Sequence, residues 1–339
     1  MIREMIRSLA ETGRDLSVQE AEEAIGQILD GVATPAQIAG FLVALRAKGE
    51  TAEEILGCVQ ALRCRAVPVS CNDILAVDIG GTGGDRAGTF NISTTAAFVV
   101  AAAGLPVVKH GNRGFTSRCG SADMVESFGI KLQIEPQHVL PCLREVGLTY
   151  LFTPAFYPAP TYLSQLRRDI GIRSVFNLAG PIANPADAPC QVVGVAHPDL
   201  TEVLAQVFAR LGKRRVMVFH GMDGLDEISI TGPTKVTELK EGQIHTFYLN
   251  PEEFGIRRAT LADIQGGSPE ENVRICRQVL SGQKGPRRDI VLLCAAAALV
   301  AGEKAANFSE GLTLACEAID SGRAWQILER LRQFNNDQS

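Results

Sequence analysis

A glycine-rich stretch with a lysine behind it is the part of the sequence best suited to hold a phosphate-rich ligand. Gly-Thr-Gly-Gly-Asp at 81–85 follows an apolar run, and Ser93-Thr94 opens a helical pattern. Glycines let backbone N–H groups approach an anion, and a helix start adds unpaired N–H groups and the positive end of the helix dipole. Lys109, at the end of the next apolar run, places a positive charge at the same sheet edge. The spacing therefore predicts a polyphosphate site.

The glycine loop matches neither of two common nucleotide-binding motifs. It lacks Gly-x-x-x-x-Gly-Lys-Ser/Thr, and Arg86 stands where Gly-x-Gly-x-x-Gly requires its third glycine. Taken alone, such a loop is also compatible with a tight strand-to-helix turn. The acid Asp85 inside the loop, together with Lys109, is what favours the polyphosphate interpretation.

Two adjacent carboxylates, Asp226 and Glu227, form a second candidate site. They follow the apolar run 215–219, which we predict to be a strand, so they fall at the end of a strand again. Adjacent carboxylates suit Mg²⁺, a hard ion that prefers oxygen and shares its coordination shell with substrate phosphates. A solvated acidic turn is the alternative.

The elements that must position these residues change in character along the chain. Ser17, Thr34 and Thr51 each precede a Glu or Gln by three residues, which predicts helix starts and a helical bundle over residues 1–68. From residue 73 onward, apolar runs alternate with helical patterns, as is typical of an α/β fold with a parallel sheet. Strands are predicted at 74–79, 106–109, 148–152, 191–196 and 215–219, with a hairpin over 234–248. Helices are predicted at 94–104, 136–146, 162–169, 199–211, 269–280, 289–301, 309–320 and 324–332.

Composition excludes several classes of function. The 339 residues carry a net charge of −5 without a basic stripe, which argues against nucleic acid as a partner. No apolar run reaches the roughly 20 residues needed to span a bilayer, so no membrane partner is expected. The nine cysteines form no Cys-x-x-Cys pair, which favours neither a disulfide framework nor a zinc motif. A reducing, cytoplasmic location is therefore expected.

Six motifs together carry a family resemblance over nearly the whole chain. They are Gly-Thr-Gly-Gly-Asp at 81–85, Asn-Ile-Ser-Thr at 91–94, Lys-His-Gly-Asn-Arg at 109–113, Gly-Ser-Ala-Asp at 120–123, Val-Phe-Asn-Leu-Ala-Gly-Pro-Ile-Ala-Asn-Pro at 175–185 and Gly-Leu-Asp-Glu-Ile-Ser at 224–229. In order and spacing the sequence resembles the anthranilate phosphoribosyltransferase family. Several long motifs in order are much more specific than any single loop.

The resemblance implies a small α-helical domain plus a large α/β domain, as in the nucleoside phosphorylase-like phosphoribosyltransferases. The helical domain would comprise 1–68, completed by about 161–185, and the large domain would comprise 73–160 and 186–339. The implied reaction joins anthranilate to the ribose C1 of phosphoribosyl pyrophosphate (PRPP), with Mg²⁺ as cofactor and release of pyrophosphate, in tryptophan biosynthesis. The resemblance also implies a homodimer that contacts through the helical domains.

The resemblance also assigns site residues, none of them a nucleophile. The donor-binding residues would be Gly81, Gly84, Asp85, Thr89, Asn91, Ser93, Thr94, Lys109 and Ser121. The metal would be served by Ser93, Asp226 and Glu227. The acceptor would meet Gly81, His110, Asn112, Tyr157 and Arg167. Arg167 would pair with the anthranilate carboxylate, although its neighbour Arg168 competes for that role.

The acceptor region departs from the family pattern. Tyr157 stands where His is usual, Pro160 occupies a lining position, and Phe115 adds bulk. Neutral drift in a pocket wall and a changed aromatic or heterocyclic acceptor are both compatible with these departures. A nucleoside phosphorylase and a non-catalytic, nucleic-acid-binding relative are further alternatives. Cys119 lies near the proposed site, where Arg118 would lower its pKa if the thiol were reactive, but a buried, inert thiol is favoured.

Overall fold

The N-terminal part of the chain is a bundle of helices. The computed structural model describes residues 1–69, 71, 74–114 and 117–337. The bundle comprises α1 (Ile2–Arg7), a π-helical turn (Ser8–Thr12), α2 (Val18–Leu29), α3 (Pro35–Lys48) and α4 (Ala52–Arg63). Ser17, Thr34 and Thr51 cap α2, α3 and α4 through the predicted reciprocal hydrogen bonds. These capping boxes satisfy the unpaired N–H groups of the first turn, so the helix starts are set locally.

A seven-stranded sheet forms the second part. Its strands are β1 (Val77–Gly81), β2 (Val107–Gly111), β3 (Leu148–Phe152), β4 (Cys190–Gly194), β5 (Arg215–Gly221), β6 (Thr234–Lys240) and β7 (Gln243–Leu249). The order is β3-β2-β1-β4-β5-β6-β7, with β1 to β5 parallel and β6 and β7 antiparallel. Because β1 lies between β2 and β4, the loop after β1 opens at a switch in strand order, where α/β proteins bind ligands.

Helices connect and cover these strands. They are α5 (Ile92–Ala102), α6 (Ser121–Ser127), α7 (Pro136–Val146), α8 (Thr153–Phe156), α9 (Thr161–Ile170), α10 (Val175–Ala179), α11 (Leu200–Arg210), α12 (Pro269–Leu280), α13 (Pro286–Ala301), α14 (Phe308–Asp320) and α15 (Arg323–Asp337). Short 3₁₀ turns lie at Pro251–Phe254 and Leu261–Ile264. In the part of the chain that the structure describes, no helix combines the length and apolarity that crossing a bilayer requires.

Two apolar cores divide the molecule. One joins α5, α13 and the other helices that pack on one face of the sheet. The other joins the N-terminal helices to side chains of α9 and α10, and it continues to α11 and the opposite face of β4 and β5. Helices α9 and α10 thus pack with the N-terminal bundle, as the proposed completion of the helical domain by 161–185 requires. The domain boundaries themselves stay a prediction.

Most predicted elements are present, with shifts at their ends. The helix predicted from 94 begins two residues earlier, at Ile92, and Asn91 is its N-cap residue. The hairpin turns at Glu241 and Gly242, both with positive φ, as a two-residue turn between twisted strands requires. Helices α6, α8 and α10 were not predicted, since each is too short to show a helical period.

Candidate active site

The glycine loop leaves the carboxyl end of β1 and bends towards the turn that follows β5. Gly83 and Gly84 have φ angles of 62° and 83°, which favour glycine. The Gly83 N–H donates to Asp226 Oδ2 at 2.7 Å, and the Asp226 N–H donates weakly to Asp85 Oδ2 at 3.5 Å. These two hydrogen bonds therefore join the loop to the acidic turn, although the bonded residues are 141 to 143 positions apart.

Two glycines permit that close approach. A Cβ at Gly81 would lie 2.8 Å from Asp226 Oδ2. A Cβ at Gly194, which pairs with Gly81 across β1 and β4, would overlap the main-chain oxygen of Asp226. Gly194 was not singled out from the sequence, because an isolated glycine at a strand end carries no distinctive pattern.

Three predicted residues meet behind the loop. The Ser93 N–H, in the first turn of α5, donates to Glu227 Oε1 at 3.3 Å. Lys109 Nζ donates to the Ile79 carbonyl at 2.5 Å and contacts Ser93 Oγ at 3.4 Å. Lys109 lies in β2 and is 3% exposed, so its charge is buried inside the protein instead of solvated. The structure thus brings together the predicted metal residues and the predicted lysine.

Electrostatic strain marks this cluster. Burial, followed by the nearby Asp85 carboxylate, raises the pKa of Asp226 to about 7. Burial and the Asp226 carboxylate raise the pKa of Glu227 to about 8. Burial also lowers the pKa of Lys109, against the attraction of Asp78 and Glu227. Carboxylates with pKa values raised this far are typical of functional sites, where a bound cation can stabilise their charged form.

The donor set fits Mg²⁺ shared with a substrate. Glu227 Oε2 is buried and has no hydrogen-bond partner among the described residues. Among those same residues, no group of three or more His, Cys, Asp or Glu side chains converges to hold a metal. Mg²⁺ commonly takes one or two carboxylates and completes its shell with water and substrate phosphates.

Asn91 and Cys119 link the start of α5 to the loop after β2. Asn91 Nδ2 donates to the Cys119 carbonyl at 3.1 Å, and the Cys119 thiol donates to Asn91 Oδ1 at 3.2 Å. Burial and then the Asp123 carboxylate raise the pKa of Cys119 to about 12. The raised pKa argues against activation of the thiol by Arg118 and agrees with the favoured interpretation of a buried, inert thiol.

The other residues predicted to bind the donor differ in their surroundings. Thr94 is 2% exposed, and its hydroxyl has no hydrogen-bond partner in the described part of the chain. Thr89 pairs with Gln265 in an isolated bridge. Ser121 Oγ lies 2.8 Å from the Tyr150 hydroxyl. Gly84 lies against the Arg173 guanidinium, which a Cβ there would overlap.

Arg173 is a residue that sequence reasoning missed. Its Nη2 donates to the Thr82 carbonyl in the glycine loop at 3.2 Å, 91 residues away. It lies between α9 and α10, and the charges of Asp226 and Asp85 act on it. An arginine in a short connection has no local pattern, so only the fold shows that it joins the helical side of the molecule to the loop.

The predicted acceptor residues differ in their surroundings. Asn112 is exposed at the end of β2, where its Oδ1 accepts from the Arg113 N–H at 2.7 Å. The His110 side chain is 6% exposed, with Nε2 at 2.9 Å from the Gly180 carbonyl. The Tyr157 hydroxyl donates to the Ala183 carbonyl. Tyr157 therefore has a structural use for its hydroxyl, and Phe115 lies outside the described residues.

The structure distinguishes Arg167 from Arg168. Arg167 lies 5.1 Å from the centre of the Phe176 ring and donates to Asn177 Oδ1 at 3.3 Å. Arg168 is exposed and donates to Gln165 on its own helix. Arg167 thus lies against the 175–185 motif. Pro160, predicted as a lining residue, is the N-cap of α9.

This fold and site define a glycosyl transferase with separate helical and α/β parts. The model of the glycosyl transferase family helical bundle domain matches residues 3–66, and that of the family's a/b domain matches residues 73–325. An anthranilate phosphoribosyltransferase from Moorella thermoacetica is 55% identical over 319 residues, covering 94% of each chain. The chain belongs to the anthranilate phosphoribosyltransferase family.

Solved structures of the same family superimpose on the whole chain. The crystal structure from Thermus thermophilus is 40% identical, has a TM-score of 0.91, and covers 98% of this chain and 99% of its own. The Saccharomyces cerevisiae protein in complex with PRPP and Mg is 28% identical with a TM-score of 0.89, covering 99% and 98%. The same yeast protein has also been solved with 4-fluoroanthranilate, at 27% identity, a TM-score of 0.88 and the same coverage.

Proposed function

We propose that the chain transfers the phosphoribosyl group of PRPP to the amine of anthranilate and releases pyrophosphate, a step of tryptophan biosynthesis. The observation that carries this proposal is the contact of the glycine loop with the Asp226–Glu227 turn beside Lys109. Displacement at a sugar C1 has an oxocarbenium-like transition state, in which negative charge grows on the leaving group. A fixed cation and backbone donors around a phosphate site stabilise that charge.

The donor half of the site would act through its backbone and its lysine. The loop N–H group of Gly84 and the start of α5 would hold the pyrophosphate, with Ser93 and Thr94 adding hydroxyl donors. Lys109 would meet the charge that develops when the C1–oxygen bond breaks. The other residues proposed to contact the donor are Gly81, Asp85, Thr89, Asn91 and Ser121.

Asp226, Glu227 and Ser93 would hold Mg²⁺ together with the donor phosphates. When bound, Mg²⁺ would supply Lewis-acid stabilisation of the leaving pyrophosphate. The solved yeast relative with PRPP and Mg supports this assignment. The raised pKa values of Asp226 and Glu227 agree with it, because a bound cation would offset the repulsion of Asp226 by Asp85 and of Glu227 by Asp226.

The acceptor half would lie between the end of β2 and the helical side. Arg167 would pair with the anthranilate carboxylate, and Asn112 and Gly81 would contact the ring and its amine. His110 and Tyr157 would shape the wall, since both hold backbone carbonyls of residues 180–183. The yeast relative solved with 4-fluoroanthranilate supports a carboxylated aromatic acceptor.

Steady-state assays of the purified protein with PRPP, Mg²⁺ and anthranilate test the proposal. Turnover of about 1 s⁻¹ or more is the result expected of a biosynthetic enzyme, and it would exclude a changed acceptor as the role of Tyr157. Dependence on phosphate instead of release of pyrophosphate would indicate a nucleoside phosphorylase. No thermal shift with saturating PRPP and Mg²⁺ would indicate a non-catalytic relative, because a ligand of the native state must stabilise it.

Arg167→Ala is expected to raise the anthranilate KM about 10- to 100-fold, as loss of a charge-assisted, bidentate contact predicts. The KM for PRPP is expected to change little. Arg168→Ala is the matched control, because Arg168 is exposed and bonded only within α9. Initial-rate kinetics with each substrate varied in turn provide the measurement. Equal effects of the two variants would contradict the assignment of Arg167.

We also propose a homodimer through the helical domains and a cytoplasmic location. All nine cysteines are free, which suits a reducing compartment. Light scattering after size exclusion would test the assembly, and a monomer at micromolar concentration would contradict it. Fractionation of cells expressing the protein would test the location.

A further inference from the structure

The backbone of residues 180–184 is held by three side-chain donors from the sheet side. His110 Nε2 lies 2.9 Å from the Gly180 carbonyl, and Gln191 Nε2 donates to the Pro181 carbonyl at 2.5 Å. The Tyr157 hydroxyl donates a hydrogen bond to the Ala183 carbonyl. This segment, which we call the return segment, leads from α10 back to the sheet at β4. Its carbonyls are thus fixed from β2, β4 and the connection after β3.

One buried carboxylate organises two of these donors. Asp78, in β1, is 0% exposed. Its Oδ2 lies 2.8 Å from His110 Nδ1 and accepts from Gln191 Nε2 at 3.0 Å. Asp78 therefore contacts both side chains that hold Gly180 and Pro181, although it lies three residues before the glycine of the donor loop.

The surroundings of His110 determine its charge. One ring nitrogen faces a carboxylate oxygen and the other faces a carbonyl oxygen, and both are acceptors. The short ion-pair contact with the Asp78 carboxylate favours the protonated ring, although Nδ1 itself makes no hydrogen bond of good geometry with the described residues. Burial and the neighbouring Lys109 charge oppose this state, and the Asp78 carboxylate outweighs them and raises the pKa of His110.

The return segment begins where the acceptor arginine is held. Gly180 directly follows α10, whose Phe176 and Asn177 contact Arg167. A displacement of Gly180 therefore moves the helix that orients the Arg167 guanidinium. The hydrogen bonds on the PRPP side of the site do not involve the return segment. Gly83, Ser93 and Lys109 donate them to Asp226, Glu227 and Ile79, respectively.

We propose that Asp78 is a positioning residue for the acceptor: through His110 and Gln191 it fixes the return segment, and through α10 it sets Arg167. This inference rests on the proposed function. It assigns to His110 the role of a hydrogen-bond donor to the Gly180 carbonyl instead of a proton acceptor for the amine. It also accounts for a buried carboxylate that binding of the donor does not use.

Asp78→Asn tests the inference because it should change the KM for anthranilate and leave the KM for PRPP nearly unchanged. The amide keeps the size of the side chain but removes the charge that holds His110 protonated. We expect the anthranilate KM to rise about tenfold or more, as loss of orientation in a site predicts, while the KM for PRPP stays within about twofold. Equal changes in both KM values would overturn the inference.

A spectroscopic measurement keeps the test independent of activity and of the fold of the variant. In wild-type protein with ¹⁵N-labelled histidine, we expect His110 to lose its proton at a higher pH than an ordinary histidine does. The His110→Gln variant identifies the signal among the five histidines. A His110 that titrates at or below the ordinary histidine pKa in the wild type would overturn the inference even if Asp78→Asn does not fold. An inactive wild type with a raised His110 pKa would contradict only the proposed function.

Glu54→Gln is the matched control. Glu54 is a buried carboxylate of α4 that accepts from the Leu16 N–H at 2.9 Å and from Lys48 at 3.0 Å. It lies in the helical bundle, so its loss should lower the melting temperature without changing the anthranilate KM. A rise in the anthranilate KM as large as that of Asp78→Asn would show a general packing effect and overturn the inference.

Discussion

Replacing Asp226 with Asn and Glu227 with Gln together is expected to make the ligand-free protein more stable at pH 8 while abolishing nearly all Mg²⁺-dependent turnover. Both carboxylates have pKa values raised by burial, to about 7 and about 8. The amides keep oxygen acceptors for the Gly83 and Ser93 N–H groups but carry no charge to bury. Activity should fall about 10²- to 10³-fold or more, since a hard cation loses both anionic ligands.

The sign of the stability change follows from proton linkage. Between the ordinary carboxylate pKa near 4 and these raised values, the folded state holds protons that the unfolded chain releases. The free energy of unfolding of the wild type therefore falls as the pH rises from about 5 to 8. The double variant lacks this penalty, and we expect it to gain about 1–3 kcal/mol at pH 8 and little at pH 5.

Thermal unfolding without ligand, at pH 5 and pH 8, measures this difference. Asp263→Asn is a control of opposite sign, because hydrogen bonds from Thr260 lower the pKa of Asp263 and its loss should not stabilise the protein. A double variant less stable than the wild type at pH 8 would contradict the electrostatic account. Retained dependence on Mg²⁺ would contradict the metal assignment.

Lys109→Met is expected to lower kcat/KM for PRPP about 10²- to 10³-fold, the size typical of removing a fixed group that meets charge in the transition state. Met keeps the length and the apolar stem of the side chain. The attraction of Lys109 holds the pKa of Glu227 lower than burial alone would. Without that charge the Glu227 pKa rises further, so the Mg²⁺-dependent rate should reach its plateau at a higher pH than in the wild type.

Initial rates against PRPP from pH 6 to 9 provide the measurement. Lys213→Met is the matched control, since Lys213 is also a buried lysine, with a pKa lowered to about 7 by burial and by Arg63. It donates to Asp187 and to the Ala188 carbonyl at 2.5 Å. Lys213→Met should change stability without selectively raising the PRPP KM. Similar kinetic losses in both variants would attribute the Lys109 effect to folding alone.

Much of the site was predictable because its motifs are local. The capping residues Ser17, Thr34 and Thr51 satisfy N–H groups three positions away, so their helix starts follow from adjacent residues. The glycine loop, Lys109 and the acidic pair each follow a predicted strand, and parallel strands bring their carboxyl ends to one edge. For that reason the predicted donor and metal residues could be grouped before any distance was known.

Other parts of the site had no local pattern to reveal them. Arg173 acquires its role only because the chain between α9 and α10 passes the glycine loop. The use of the Tyr157 hydroxyl depends on a carbonyl 26 residues away. Asp78 is a carboxylate inside an apolar strand, and its partners His110 and Gln191 come from the two neighbouring strands.

The family, the helical and α/β parts, and the glycine loop were predictable from the residues alone. These features arise from short-range hydrogen bonds and from side chains at fixed spacing along one strand or helix. Which charges lie close together depended instead on the fold, which places Asp226 near Asp85, Lys109 near Glu227, and His110 near Asp78. Burial and distance set the pKa values, and both depend on contacts between residues far apart in the chain.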